Sequence, residues 1–135
     1  MMFTATTTHA LRALAFLAAQ NDGAAVQGKD LARKVKLPAH YLSKVLAVLA
    51  RAGVVTATRG ARGGYRLARR PEKIRLAEIV VPLEGKRARP GCLLRPDKPC
   101  SDSVACSAHT AWGTLKSAYA TFLDRTTLAD IGGAG

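Results

Sequence analysis

The sequence predicts a mainly α-helical fold with a small β-wing: a winged helix-turn-helix domain followed by a long C-terminal dimerisation helix. Three observations predict it. Leu42, Val45, Leu46 and Leu49 fall at i, i+3, i+4 and i+7, an apolar stripe on a helix that follows a shorter one across a Leu37-Pro38 break. Val54–Thr58 and Gly64–Ala68 read as two strands around a glycine-rich tip, Arg59–Gly63. Between Lys29 and Arg75 there are thirteen lysines and arginines against two acids, so this window holds nearly all of the formal net charge of +12.

The elements follow in order. Threonines supply an N-cap for a first helix over Thr6–Ala19, where Leu11, Leu14, Ala15 and Ala18 recur at helical spacing and Gln20–Gly23 ends the run. A short second helix spans Gly28–Lys34 with Leu31 and Val35 inward. Gln27 before it is not a favoured cap. The third helix runs from Pro38 to about Ala52 and is stopped by Gly53; His40, Ser43, Lys44 and Ala47 lie opposite its buried stripe. Past the hairpin and an Arg69-Arg70-Pro71 corner, Ile74–Val81 begins another short helix or turn. Gly85–Asp102 is aperiodic and carries Pro90, Pro96 and Pro99. Ser103–Asp124 reads as a long helix capped by Asp102 or Ser103, with Trp112, Leu115, Tyr119, Phe122 and Leu123 on one side. A chain this small has little to cover such a face, so self-pairing into a homodimer is expected, packing back on the head being the alternative. The divisions are residues 1–84 for the DNA-binding head, 85–102 for the cysteine-containing loop, and 103–135 for the dimerisation helix and tail.

Hydrophobic residues make up 48% of the 135 and aromatic ones only 5%, enough for one core built mostly from Leu, Val and Ala. No apolar run is long enough to span a membrane, and the start lacks the charged segment of a signal peptide; a cytoplasmic protein is expected. Gly60–Gly64 lacks the spacing of a phosphate-cradling nucleotide loop. The concentrated charge, the helix pair and the hairpin together point to double-stranded DNA. His40, Ser43 and Lys44 would reach base edges, and Arg59 and Arg62 the minor groove or phosphates.

All three cysteines lie within Pro90–Trp112. Seven residues separate Cys92 from Cys100, five separate Cys100 from Cys106, and two separate Cys106 from His109. Three thiolates and an imidazole make a four-ligand set for zinc or for an iron–sulfur cluster. On the predicted helix Cys106 falls in the first turn, where the helix end favours a thiolate, and His109 sits above it on the same face. The odd cysteine count argues against a purely intramolecular disulfide framework. No Glu stands beside the histidine to act as a base and no partner pattern marks a nucleophilic cysteine, so an enzyme is not expected.

The run LPAHYLSKVLAVLARAGVVTATRGARGGYRLAR, followed by IRLAEIVVPLEG, resembles the IscR/NsrR-type iron–sulfur winged-helix regulators over nearly the whole chain. Its most specific piece is Tyr41-Leu42 with Arg59-Gly60 and Gly63-Gly64-Tyr65, joined to three downstream cysteines. The resemblance implies a homodimer on a palindrome-like operator, with Tyr41 added to the DNA-binding set. It also implies that DNA affinity is set by a cluster sensing redox state, iron or nitric oxide. It makes Cys92, Cys100 and Cys106 the cluster ligands and puts His109 where the biogenesis regulators supply a histidine, favouring [2Fe–2S]. The long first gap is nearer to iron-responsive members with [4Fe–4S]. Thr8 stands where nitric-oxide sensors carry an acidic ligand, and Ser43 where the biogenesis regulator carries a glutamate. Structural zinc, or thiol or small-molecule sensing without a cluster, is the competing expectation.

Overall fold

A computed structural model describes residues 2–20, 23–99 and 108–132, and these described residues form six α-helices and one hairpin. They are α1 (Ala5–Ala18), α2 (Gly28–Val35), α3 (Ala39–Arg51), β1 (Val55–Thr58), β2 (Gly64–Leu67), α4 (Leu76–Glu84), α5 (His109–Arg125) and α6 (Leu128–Gly132). Single 3-10 turns occupy Pro71–Lys73 and Gly85–Ala88.

The helix α1 is the hub. Its Ala10, Ala13 and Leu14 are fully buried, and α2, α3, α4 and α6 all pack against it. Small alanines on that face let neighbouring backbones come close, while Leu14 and Leu17 fill the gaps between them. The predicted stripe of α3 is the buried one, Leu42, Val45, Leu46 and Leu49. Val54 continues this core into the hairpin, and Leu76, Ile79 and Val80 of α4 close it from the other side. At about 25 cal/mol per Å² of apolar surface, each such aliphatic side chain contributes roughly 1.5–3 kcal/mol of transfer free energy.

Local chemistry explains the helix ends. Thr4 caps α1, its hydroxyl accepting from the Thr7 N–H. As its sequence suggested, Gln27 gives α2 no side-chain cap. That helix runs to Val35, one residue past the expected last position, with Lys36 as its C-cap in a left-handed conformation at φ 58°, and Leu37-Pro38 turns the chain into α3. Strands β1 and β2 pair antiparallel, with Val55 opposite Leu67 and Thr58 opposite Gly64.

Three elements differ from expectation. The fourth helix begins at Leu76 rather than Ile74 and runs to Glu84 through Pro82. Ile74 is instead buried in an extended segment whose carbonyl accepts from the Leu128 N–H. The aperiodic stretch is folded where it is described: the Cys92 N–H donates to the Lys98 carbonyl at 3.0 Å, closing a short loop. The tail after α5 is a helix, α6. Thr127 precedes it, its N–H and hydroxyl both donating to the Asp130 carboxylate, and Leu128 is fully buried. No described helix is long and apolar enough to cross a membrane.

Candidate nucleic-acid interface and metal-ligand set

Helices α2 and α3 and strand β2 pack against α1, and α3 in turn packs against α2 and β1. On α3, His40, Ser43 and Lys44 are exposed, as the stripe pattern requires. Ser43 Oγ donates to the His40 carbonyl at 2.9 Å, an intrahelical bond that a competing acceptor can replace. Tyr41 is different. It is half-buried, its hydroxyl donates to Thr6 Oγ1 at 3.2 Å, and His9 Nδ1 lies 3.1 Å from the same hydroxyl.

The wing tip carries Arg59 and Arg62, both exposed. Its geometry depends on glycine at two places. A Cβ on Gly63 would lie 2.2 Å from the Thr58 carbonyl oxygen, and one on Gly64, at φ +143°, would lie 2.4 Å from that of Val26. The second contact exists because Val26 pairs with Tyr65 through two backbone bonds of 2.9 and 2.8 Å, joining the wing to the entry of α2. Gln27 Nε2 adds a bond to the Ala61 carbonyl at 3.2 Å. Periodicity cannot reveal this clasp, because Gln27 and Ala61 are 34 residues apart.

Of the proposed metal ligands, Cys92 and His109 are described; Cys100 and Cys106 lie outside the described residues, as do the expected caps Asp102 and Ser103. Cys92 is only 6% exposed. His109 is the first residue of α5, whose N-cap is Ala108, so the helix starts later than the spacing suggested. The two ligand-bearing segments are fastened together: Trp112 Nε1 donates to the Gly91 carbonyl at 2.8 Å, joining the residue before Cys92 to the turn that begins with His109. A buried thiol, an imidazole on an adjoining segment and two further thiols nearby in sequence fit a soft metal or an iron–sulfur cluster as a donor set. Among the described residues no group of three or more ligand side chains stands together, so the complete set depends on the two remaining cysteines.

The five large residues of α5 lie within one arc of about 100°, as expected, but the head covers only part of it. Leu123 is fully buried against the head, and Tyr119 meets Phe3 with ring centroids 6.3 Å apart, whereas Leu115 and Phe122 are 52% and 43% exposed. At 100° per residue, positions 112, 119 and 123 cluster, and 115 and 122 lie well to one flank.

Glu84, at the end of α4, ties that helix to the start of α1. Its Oε1 accepts from the Thr4 N–H at 2.7 Å and the Thr4 hydroxyl at 2.9 Å. Burial alone would raise its pKa. The hydrogen bonds from Thr7 and Thr4 and the charge of Arg87 outweigh that and hold it below the ordinary value. Tyr119 is pushed up by burial and by the negative Glu84, against the pull of Arg89 and Arg87.

This architecture is that of the winged helix-turn-helix regulators of transcription. Residues 3–133 match the family model Rrf2, iron-dependent transcriptional regulator. The chain belongs to the Rrf2 family. It is 34% identical over 131 residues to the helix-turn-helix-type transcriptional regulator NsrR of Bacillus licheniformis, covering 97% of this chain and 92% of that one. Among solved structures it is similar to IscR of T. potens, with TM-score 0.74, 30% identity, and coverage of 95% and 83%. It is also similar to CymR, the global cysteine regulator of B. subtilis, with TM-score 0.79, 25% identity, and coverage of 98% and 97%.

Proposed function

We propose that the chain is a homodimeric DNA-binding regulator whose operator affinity is controlled by an iron–sulfur cluster on Cys92, Cys100, Cys106 and His109. The observation that carries this reading is the Trp112–Gly91 hydrogen bond, which holds the buried Cys92 loop against the helix turn bearing His109. A bound cluster supplies a redox- and ligand-sensitive centre. The chain's own residues supply three soft thiolates and an imidazole, and the Trp112–Gly91 bond ties the Cys92 segment to α5, which packs on the head through Leu123.

DNA contact falls to His40, Ser43 and Lys44 on α3 and to Arg59 and Arg62 on the wing, with Tyr41 beside them. In a dimer paired through the Leu115 and Phe122 flank of α5, the two α3 helices meet successive major grooves about 34 Å apart. Of the two cluster types, [2Fe–2S] is favoured by the histidine and [4Fe–4S] remains the alternative.

Anaerobic purification with absorption spectroscopy and iron and sulfide analysis tests this. The expected protein is brown and bleaches with air or nitric oxide, and Cys92→Ala is colourless. A colourless wild-type protein with tightly bound zinc overturns the cluster. The likeness to a global cysteine regulator favours a second reading, a cluster-free member responding to a small molecule or to thiol oxidation. Regulation that survives Cys→Ala substitution would favour the small-molecule version.

A further inference from the structure

The first turns of α1 are rich in hydroxyls, Thr4, Thr6, Thr7 and Thr8, with His9 next, although threonine is a mediocre helix former. Two of them have been accounted for: Thr4 caps the helix, and both Thr4 and Thr7 hydrogen-bond to Glu84. Thr8 is exposed, which leaves Thr6 and His9, one helical turn apart and therefore on one face. That face meets Tyr41. The hydroxyl of Tyr41 has a single proton, which goes to Thr6 Oγ1 at 3.2 Å; its lone pair then takes a proton from His9 Nδ1 at 3.1 Å. The two rings meet edge to face, at 87° with centroids 5.6 Å apart.

The other end of this contact is the part of α3 with the least support of its own. Pro38 occupies the N-cap position and makes no side-chain cap bond, and no acidic residue sits in the first turn to complement the helix dipole. The buried stripe begins only at Leu42. Tyr41 reaches back to α1 where a cap is missing.

We propose that Thr6 and His9 are positioning residues for DNA reading. They hold the ring and hydroxyl of Tyr41, and so fix the direction in which the first turns of α3 present His40, Ser43 and Lys44. The inference rests on the proposed DNA interface and gives Tyr41 a different part in it: an anchor whose hydroxyl is committed to α1 rather than a reader of bases. In this bracket His9 is the donor through Nδ1, because the Tyr41 hydroxyl proton is committed to Thr6.

Two measurements on the full chain test this. The first is 15N NMR of the histidines at alkaline pH without DNA. Wild type is expected to show His9 as the Nδ1–H tautomer, and Tyr41→Phe to shift it toward Nε2–H. A wild-type His9 in the Nε2–H form overturns the bracket. The second uses a duplex selected in vitro by the wild-type protein and a scrambled duplex of the same composition. Tyr41→Phe, His9→Phe and the near-isosteric Thr6→Val are each expected to lose about five- to tenfold in affinity for the selected duplex and nothing on the scrambled one. His9→Phe combined with Tyr41→Phe is expected to lose no more than Tyr41→Phe alone. Additive losses, equal losses on both duplexes, or no loss at all overturn the positioning role. A wild-type protein that selects no duplex sinks the DNA reading itself, and the NMR result then still says whether the bracket exists.

Discussion

The wing tip, Arg59–Gly63, and the cysteine loop, Gly91–Lys98, are both short polar connections containing glycine and arginine, yet they are held very differently. The wing is tied to the head by paired Val26–Tyr65 backbone bonds, by the Gln27–Ala61 bond, and by Val54 and Val55 buried at its base. Among the described residues the cysteine loop is held by the Cys92–Lys98 and Lys98–Arg95 backbone bonds and by the Trp112–Gly91 bond, while Leu93 and Leu94 stand 45% and 63% exposed beside buried Cys92. The side carrying the proposed DNA contacts is therefore built on the hydrophobic core. The described part of the cysteine loop has little core of its own, the condition under which the proposed cluster would set its conformation. A preformed reader joined to a weakly built segment suits a regulator in which the second alters the presentation of the first.

That contrast fails most visibly if the two regions prove equally important to stability. Leu46→Ala, fully inside the core, is expected to cost about 2–5 kcal/mol in urea unfolding, and Leu94→Ala less than about 0.5 kcal/mol. Similar losses would mean that the cysteine segment belongs to the folding core.

Glu84, the buried carboxylate that ties α4 to α1, gives the next effect. Its folded pKa lies below the ordinary 4.5, so the stability it contributes is present above that value and is lost as pH falls through the lowered folded value. Glu84→Gln leaves the Thr4 bonds without a charged acceptor and should cost about 1–3 kcal/mol at neutral pH. The acid limb of a stability-versus-pH curve should flatten with it. An unchanged limb would remove Glu84 from this role.

Trp112→Phe sharpens the comparison further. Loss of the indole N–H should cost about 1 kcal/mol and speed amide exchange over Gly91–Lys98, leaving the wing amides untouched. Exchange that rises equally in the wing would show the two regions to be one unit. The smallest effect concerns a single charge: Arg59→Ala should weaken binding on all duplexes and lower the salt slope by about one. An unchanged slope would take Arg59 off the DNA.

Most of the fold is legible in the sequence because its signals are local. The Leu42–Leu49 stripe, the Gly53 stop and the glycine-rich tip each act within one turn of chain, and each lies where the spacing places it. The misses come from contacts that no local pattern encodes. Helix α6 has a readable start in Thr127 and Asp130, but it is too short for periodicity and exists because Leu128 packs on the head. Ile74 is extended because it pairs beside Thr127 rather than continuing α4. Of the site, the arginines and the exposed face of α3 are readable from charge and stripe. Glu84 with Thr4, 80 residues apart, and His9 with Tyr41, 32 apart, become visible only when the helices have packed.

The central claim is that the cysteine segment governs the reader. The most direct test is operator affinity measured anaerobically on the same preparation, with its cluster intact and after its removal, with Cys92→Ala as the control. The account predicts a change of tenfold or more between the two states of wild type, and a single affinity for Cys92→Ala regardless of treatment. Equal affinities for the intact and cluster-free wild-type protein would contradict it.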